Sequence, residues 1–136
     1  MRRRGQALVE LAVSLPVLLL LALGAVQFVQ LALMRAGLDA ATAAAAAAAA
    51  RAPSADAAVQ AGQAAFSGVT AGYGLGRSAT VTVATGDFRR GGTVTVSARA
   101  NVNLGFSGIP ALGRAWALSS STAARIEDWR SRPGGS

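Results

Sequence analysis

The chain has 136 residues, of which 52% are hydrophobic, and it carries 13 basic against 6 acidic side chains, a formal net charge of +7. It has no cysteine, which excludes a disulfide scaffold and a thiolate metal site, and no histidine, which removes the commonest general base and metal ligand. We therefore expect a protein that is not an enzyme and that binds no metal or cofactor.

All the basic residues are arginines, and beyond the N-terminus they are scattered without a dense stripe or interleaved aromatic side chains. A nucleic-acid-binding surface typically shows such a stripe, so no specific nucleic-acid partner is expected, although a modestly positive surface attracts anionic polymers in general. Gly72, Gly74 and Gly76 around Tyr73 are predicted to form a loop. This loop lacks the preceding strand, the following helix and the lysine of a phosphate-binding loop, so no small-molecule substrate is expected.

An uncharged run extends from Leu11 to Met34. At about 1.5 Å per residue, it would form a helix roughly 36 Å long, enough to cross a hydrocarbon core of about 30 Å with some tilt. Arg2, Arg3 and Arg4 lie on its first border, so the positive-inside rule places the N-terminus in the cytoplasm. The sequence predicts a single-pass protein of the cytoplasmic membrane whose C-terminal domain is extracytoplasmic.

Glu10 directly precedes this run, and Pro16 lies within it. Pro16 lacks an N–H and usually bends a helix. Glu10 costs on the order of 2–3 kcal/mol if it is drawn to the bilayer centre, so it needs either a partner or a position at the interface beside the arginines. From the residues alone, both interpretations of Glu10 stay open.

The segment GQALVELAVSLPVLLLLALGAVQF resembles the N-terminal segment of the TadE-like family, the minor pilins or pseudopilins of the tight-adherence (Tad, Flp-type) pilus. The shared elements are Gly5, Ala7, Val9, Glu10, Ala12, Pro16, the leucines that follow it, and Gly24. Two positions depart from the common pattern. Leu11 stands where an aromatic residue is frequent, and the neutral Gln27 stands where an acidic residue is frequent.

The resemblance implies that a prepilin peptidase cuts between Gly5 and Gln6 and leaves a free amine on Gln6. It implies that Glu10 pairs with the N-terminal amine of a neighbouring subunit, which would offset the cost of two charges in lipid. The implied N-terminal assembly motif consists of Glu10, Leu11 and Pro16. The implied partners are other pilin subunits and the pilus assembly platform, and the implied function is pilus assembly, adhesion and surface colonisation.

Two other interpretations compete with this one. The first is a membrane-anchored extracytoplasmic accessory protein of a secretion or envelope system that never polymerises. The second is a secreted protein whose signal peptide is cut in the alanine run, but the apolar segment exceeds the typical signal-peptide core of about 7–15 residues.

Beyond the membrane, alanines are predicted to continue the helix to about Arg51, because alanine has the highest helix propensity. Small residues at four-residue spacing form a ridge that another helix could approach closely: Ala32, Ala36, Ala40 and Ala44. Ala52-Pro53 ends the helix, since the residue before a proline avoids the α region. Ser54 is the predicted N-cap of a second helix that runs from Ala55 to about Phe66 and ends at Ser67-Gly68.

Alternating polar and apolar residues predict strands over 80–83, 93–104 and about 116–126. The first two strands are expected to form a hairpin whose loop carries Arg89 and Arg90. The loop FSGIPALG, residues 106–113, is predicted either to touch the membrane surface or to close the open end of the sheet.

The predicted fold class is α+β, with a long N-terminal transmembrane helix and a short helix packed on a small three-stranded antiparallel sheet, the pilin plan. A sheet of this size needs a helix to cover its apolar face. The predicted domains are a leader over 1–5, the long helix over 6–51, an extracytoplasmic domain over 52–130 and a disordered tail over 131–136.

Overall fold

The computed structural model describes residues 2–104 and 114–126. The elements are helices α1 (Arg2–Ala50) and α2 (Ala55–Gly72), a 3-10 turn at Gly76–Ser78, and strands β1 (Ala79–Ala84), β2 (Thr93–Leu104) and β3 (Arg114–Arg125). The strands form one antiparallel sheet in the order β1-β2-β3. The predicted α+β class, with two helices and a three-stranded antiparallel sheet, is confirmed.

The chain divides into two compact units, Met1–Ala32 and Leu33–Ser136. The first unit consists of the N-terminal part of α1. The second unit, called the C-terminal domain below, contains the rest of α1, helix α2 and the sheet.

The part of α1 in the C-terminal domain buries one face. Its buried residues recur at intervals of three and four, as one side of a helix requires: Leu38, Ala41, Thr42, Ala45, Ala46 and Ala49. The buried hydroxyl of Thr42 donates a hydrogen bond to the Leu38 carbonyl oxygen at 2.7 Å, so its burial leaves no donor unsatisfied. Alanines on this face allow the neighbouring elements to approach the helix backbone closely.

Helix α2 begins as predicted, because the Ala57 N–H donates to the Ser54 Oγ at 3.3 Å and so satisfies one of the free N–H groups of the first turn. Its buried residues stand at every fourth position: Ala58, Gly62, Phe66 and Thr70. A Cβ added to Gly62 would lie 3.0 Å from the Val83 Cγ2 and 3.6 Å from the Ala49 Cβ. Both helices and β1 therefore meet at Gly62, where a larger residue would press against the Val83 side chain.

The predicted end of α2 near Phe66 is wrong, since the helix continues to Gly72. Gly68 costs only about 1 kcal/mol relative to alanine in a helix, and the burial of Thr70, whose hydroxyl donates to the Phe66 carbonyl oxygen at 3.0 Å, offsets that cost. The helix ends in a Schellman motif, in which Leu75 N–H bonds to the Thr70 oxygen at 3.0 Å. Gly74 supplies the left-handed backbone of this motif, with φ +69.

The alternation along β2 is confirmed. Its buried residues are Val94, Val96, Ala98, Ala100 and Val102, while the residues between them face away from the core. Val96 lies opposite Val83 of β1 and Thr122 of β3. Helix α2 contacts β1, and thus provides the helical cover that a sheet of this size requires.

The loop between β1 and β2 carries Arg89 and Arg90, as predicted. The Arg89 guanidinium contacts the Asp87 carboxylate at 2.8 Å, and both side chains are exposed. Two backbone hydrogen bonds tie the loop to the residue after β3, from Gly91 N–H to the Ile126 oxygen at 3.1 Å and from Ile126 N–H to the Gly92 oxygen at 2.8 Å. The predicted loop over 106–113 and the predicted tail over 131–136 lie outside the described residues.

Candidate functional site

The N-terminal part of α1 is apolar and exposes nearly all of its side chains. No side chain described between residues 4 and 32 is buried, and Leu8 and Phe28 are 68% and 72% exposed. Leaving such a side chain in water forgoes about 1.5–3 kcal/mol of burial free energy. Within the described residues, α1 is the one helix long and apolar enough to cross a membrane. A candidate membrane span is therefore present where the sequence predicts it.

The predicted cleavage residues lie inside this helix. Helix α1 begins at Arg2, so the arginine cluster, Gly5 and Gln6 occupy its first two turns. Gly5 and Gln6 are exposed, and no atom lies within 4 Å of a Cβ placed on Gly5. In the uncut chain, the Gln6 nitrogen is an ordinary peptide nitrogen and carries no charge.

Glu10 lies one helical turn beyond Gln6. Residues at this spacing share a helix face, with a rise of about 6 Å between them. Glu10 is exposed, and within the described residues its carboxylate forms no ion pair. The structure thus brings Gln6 and Glu10 to one face of α1 and leaves the carboxylate available for a partner outside the chain.

Three further polar or helix-breaking residues fall within the span. Helix α1 continues without interruption through Pro16. The amide oxygen of Gln27 is enclosed and has no hydrogen-bond partner within the described residues, whereas Gln30 is exposed. An enclosed amide oxygen without a partner costs about 1–3 kcal/mol, so Gln27 is an unfavourable residue within the described part of the span.

The alanine ridge predicted for helix pairing remains at the surface. Ala32, Ala36 and Ala40 are exposed and Ala44 is partly exposed, while the alanines that pack within the C-terminal domain lie on another face of the helix. Periodicity alone does not separate these two faces, because nearly every position from 40 to 50 is alanine.

The outer face of the sheet is polar and rich in hydroxyls. A shallow hollow of about 240 Å³ between β2 and β3 is lined by Ser97, Ala98, Arg99, Ser119, Ser120 and Ser121. The Ser97 and Ser121 hydroxyl oxygens lie 3.4 Å apart across the two strands. Serine needs a base to act as a nucleophile, and the sequence has no histidine or lysine to serve as one.

The contact between Tyr73 and Gly37 was not predicted from the sequence. Tyr73, which the glycine pattern places in a loop, is the C-cap of α2 and packs against Gly37 of α1. A Cβ on Gly37 would lie 2.7 Å from the Tyr73 Cδ1 and 2.8 Å from its Cβ. The available signal was the glycine itself, because glycine within a helix is unfavourable and often marks a close approach.

Residues 5–51 match the family model described as TadE-like protein. The N-terminal segment of this chain is therefore similar to the TadE-like family. The matched range begins at the glycine of the predicted cleavage site and ends one residue beyond α1, so the family signature coincides with this helix. No curated protein and no solved structure gives a significant match to the chain.

Proposed function

We propose that this TadE-like protein is a minor pilin or pseudopilin of a tight-adherence pilus. A prepilin peptidase cuts it after Gly5, and the mature chain acts in pilus assembly, adhesion and surface colonisation. Its role is structural and non-catalytic, and its partners are other pilin subunits and the assembly platform. The observation that carries the proposal is the match of residues 5–51 to the TadE-like family on a helix that is apolar and exposed.

The geometry of Glu10 supports the same proposal. Cleavage would turn the Gln6 nitrogen into a charged amine on the helix face that carries Glu10. Two opposite charges on one face of each subunit would let neighbouring helices pair amine with carboxylate and fix their register. Each ion is costly in lipid when alone, and the pair offsets part of that cost.

The membrane anchor is the other part of the proposal. The N-terminus lies in the cytoplasm, α1 crosses the cytoplasmic membrane once, and the C-terminal domain is extracytoplasmic. From this position the subunit enters a pilus. The arginine cluster on one border and the uncharged run after it support this orientation.

The decisive experiment is the intact mass and N-terminal sequence of the protein purified from native membranes. We expect a chain that begins at Gln6. A chain that begins within Ala40–Ala52 would show ordinary secretion and overturn the assignment. An uncut N-terminus would instead favour the non-polymerising anchored accessory protein.

A further inference from the structure

The C-terminal domain exposes two large aromatic side chains. Outside residues 8–33, the large hydrophobic residues that are exposed in the described part of the chain are Tyr73 and Trp116, at 43% and 47%. Both side chains combine an apolar ring with a polar hydrogen-bonding group. Such side chains are enriched where one part of a surface is apolar and the other is wet.

Tyr73 lies where the chain leaves the apolar run. Its ring packs against Gly37, which stands between Arg35 and Asp39, the first charged residues after the run. Those two charged side chains form an i, i+4 ion pair with a nitrogen–oxygen distance of 3.8 Å. Gly37 is three residues beyond Met34, or about 4.5 Å of helix rise, so Tyr73 lies close to the outer border of the span.

The sheet register places Trp116 at the same end of the domain. The 3-10 turn after α2 leads directly into β1, so β1 begins at the end of the domain where Tyr73 lies. Ala79, the first residue of β1, pairs with Ala100 of β2, and Trp116 pairs with Val102, two residues further toward this end. Trp116 shares the core-facing side of β3 with the buried Leu118, but it is itself half exposed.

The opposite end of the sheet is charged. The loop between β1 and β2 carries Asp87, Arg89 and Arg90, all exposed, and Arg125 ends β3 beside it. The exposed aromatic rings therefore lie at one end of the strands and the charged loop at the other, although Arg77 of the 3-10 turn is also exposed at the aromatic end. We define the aromatic end as the surface around Tyr73 and Trp116.

We propose that the aromatic end rests on the headgroup region of the outer leaflet while the protein is anchored. This inference rests on the proposed membrane span. Tyrosine and tryptophan favour the headgroup level, and the chain enters lipid within a few residues of the Tyr73 contact. The contact would hold this end of the domain at the headgroup level of the bilayer.

The test uses the tryptophans as depth probes. The chain has two tryptophans, so Trp129→Phe leaves Trp116 as the sole emitter in the full-length protein. This variant is reconstituted into phosphatidylcholine vesicles whose acyl chains are brominated either near the headgroup or near the bilayer centre. We expect shallow bromines to remove roughly half of the Trp116 emission and deep bromines to remove less, as for a ring at the interface.

A matched control moves the probe to the other end of the domain. The triple variant Trp116→Phe, Trp129→Phe, Phe88→Trp carries its single tryptophan in the arginine loop, where neither brominated lipid should quench it. Equal quenching at both ends would overturn the proposal, as would Trp116 emission that brominated lipid leaves unchanged. In that last case, shielding of Trp116 from aqueous acrylamide would point to a second copy of the chain as the occupant.

Vesicle flotation separates this inference from the anchor. Protein that floats with the vesicles but shows no quenching of Trp116 would overturn the aromatic contact and leave the anchor intact. Protein that fails to float would overturn both.

Discussion

At the residue scale, the proposed function of this chain depends on Glu10. It is the single acidic residue before Asp39, and it is exposed on a helix whose next 24 residues carry no charge. A carboxylate in that setting is unfavourable unless something outside the chain neutralises it. The helix places the Gln6 nitrogen one turn away, so peptidase cleavage would create a charge of the required sign on the same face.

We predict that Glu10→Ala lowers incorporation into surface filaments by at least about tenfold, since it would leave the neighbouring amine unpaired in lipid at a cost of roughly 2–3 kcal/mol, more than the 1.4 kcal/mol that corresponds to a factor of ten. The measurement is the amount of the protein in filaments sheared from cells, relative to the amount in membranes. Asp39→Ala is the control, because it removes an exposed acidic residue of the same helix at the other border of the run. Assembly of Glu10→Ala at the wild-type level would disprove the pairing.

At the element scale, glycines permit the close packing of the C-terminal domain. Gly62 allows α2 to approach both α1 and β1, and Gly37 allows the Tyr73 ring to lie against the α1 backbone. A methyl group at Gly37 would overlap the Tyr73 side chain, and one at Gly62 would make a tight contact with Val83. Gly68, by contrast, is exposed in α2 with nothing within 4 Å of an added Cβ.

We predict opposite effects of one substitution at two helical glycines. Gly37→Ala should destabilise the domain by about 1–3 kcal/mol, because the new methyl would overlap the Tyr73 Cβ and ring. Gly68→Ala should stabilise it by about 0.5–1 kcal/mol through the higher helix propensity of alanine. Urea denaturation of the full chain in detergent micelles, followed by circular dichroism, measures both. Equal stability of the two variants would contradict the Tyr73 contact.

At the scale of the whole molecule, charge is distributed unevenly about one apolar helix. Three arginines precede the uncharged run, while Arg35 and Asp39 at the other border form an ion pair with no net charge. The positive-inside rule depends on this asymmetry near the ends of the span. The proposed orientation thus depends on the few charged residues that border the uncharged run.

We predict that replacing Arg2, Arg3 and Arg4 together by glutamine reduces export of the C-terminal domain by roughly half or more, since the remaining basic residue near the span would then be Arg35. Alkaline phosphatase fused to the C-terminus reports this, because it is active only outside the cytoplasm. Arg35→Gln should leave the phosphatase activity unchanged. Full activity of the triple variant would show that another signal sets the topology.

The features that were predicted correctly from the amino-acid sequence are those that depend on neighbouring residues. The length of the uncharged run indicated the span, Ser54 capped α2, and the period-two pattern of β2 identified both of its faces. Each of these features depends on residues close together in the chain, so composition and spacing carry the information. The match to the TadE-like family also covers one continuous segment, residues 5–51.

The structural features that were not predicted depend on contacts between residues that are far apart in the sequence. Helix α2 continues beyond Phe66 because the tertiary fold buries Thr70, and Tyr73 occupies a space that Gly37 leaves open on another helix. In a run composed almost wholly of alanine, the sequence does not mark which face is covered. The exposed aromatic end likewise emerges only when strand register and the end of α2 are combined. These features depend on the distances between elements, and the residues of any one element do not contain that information.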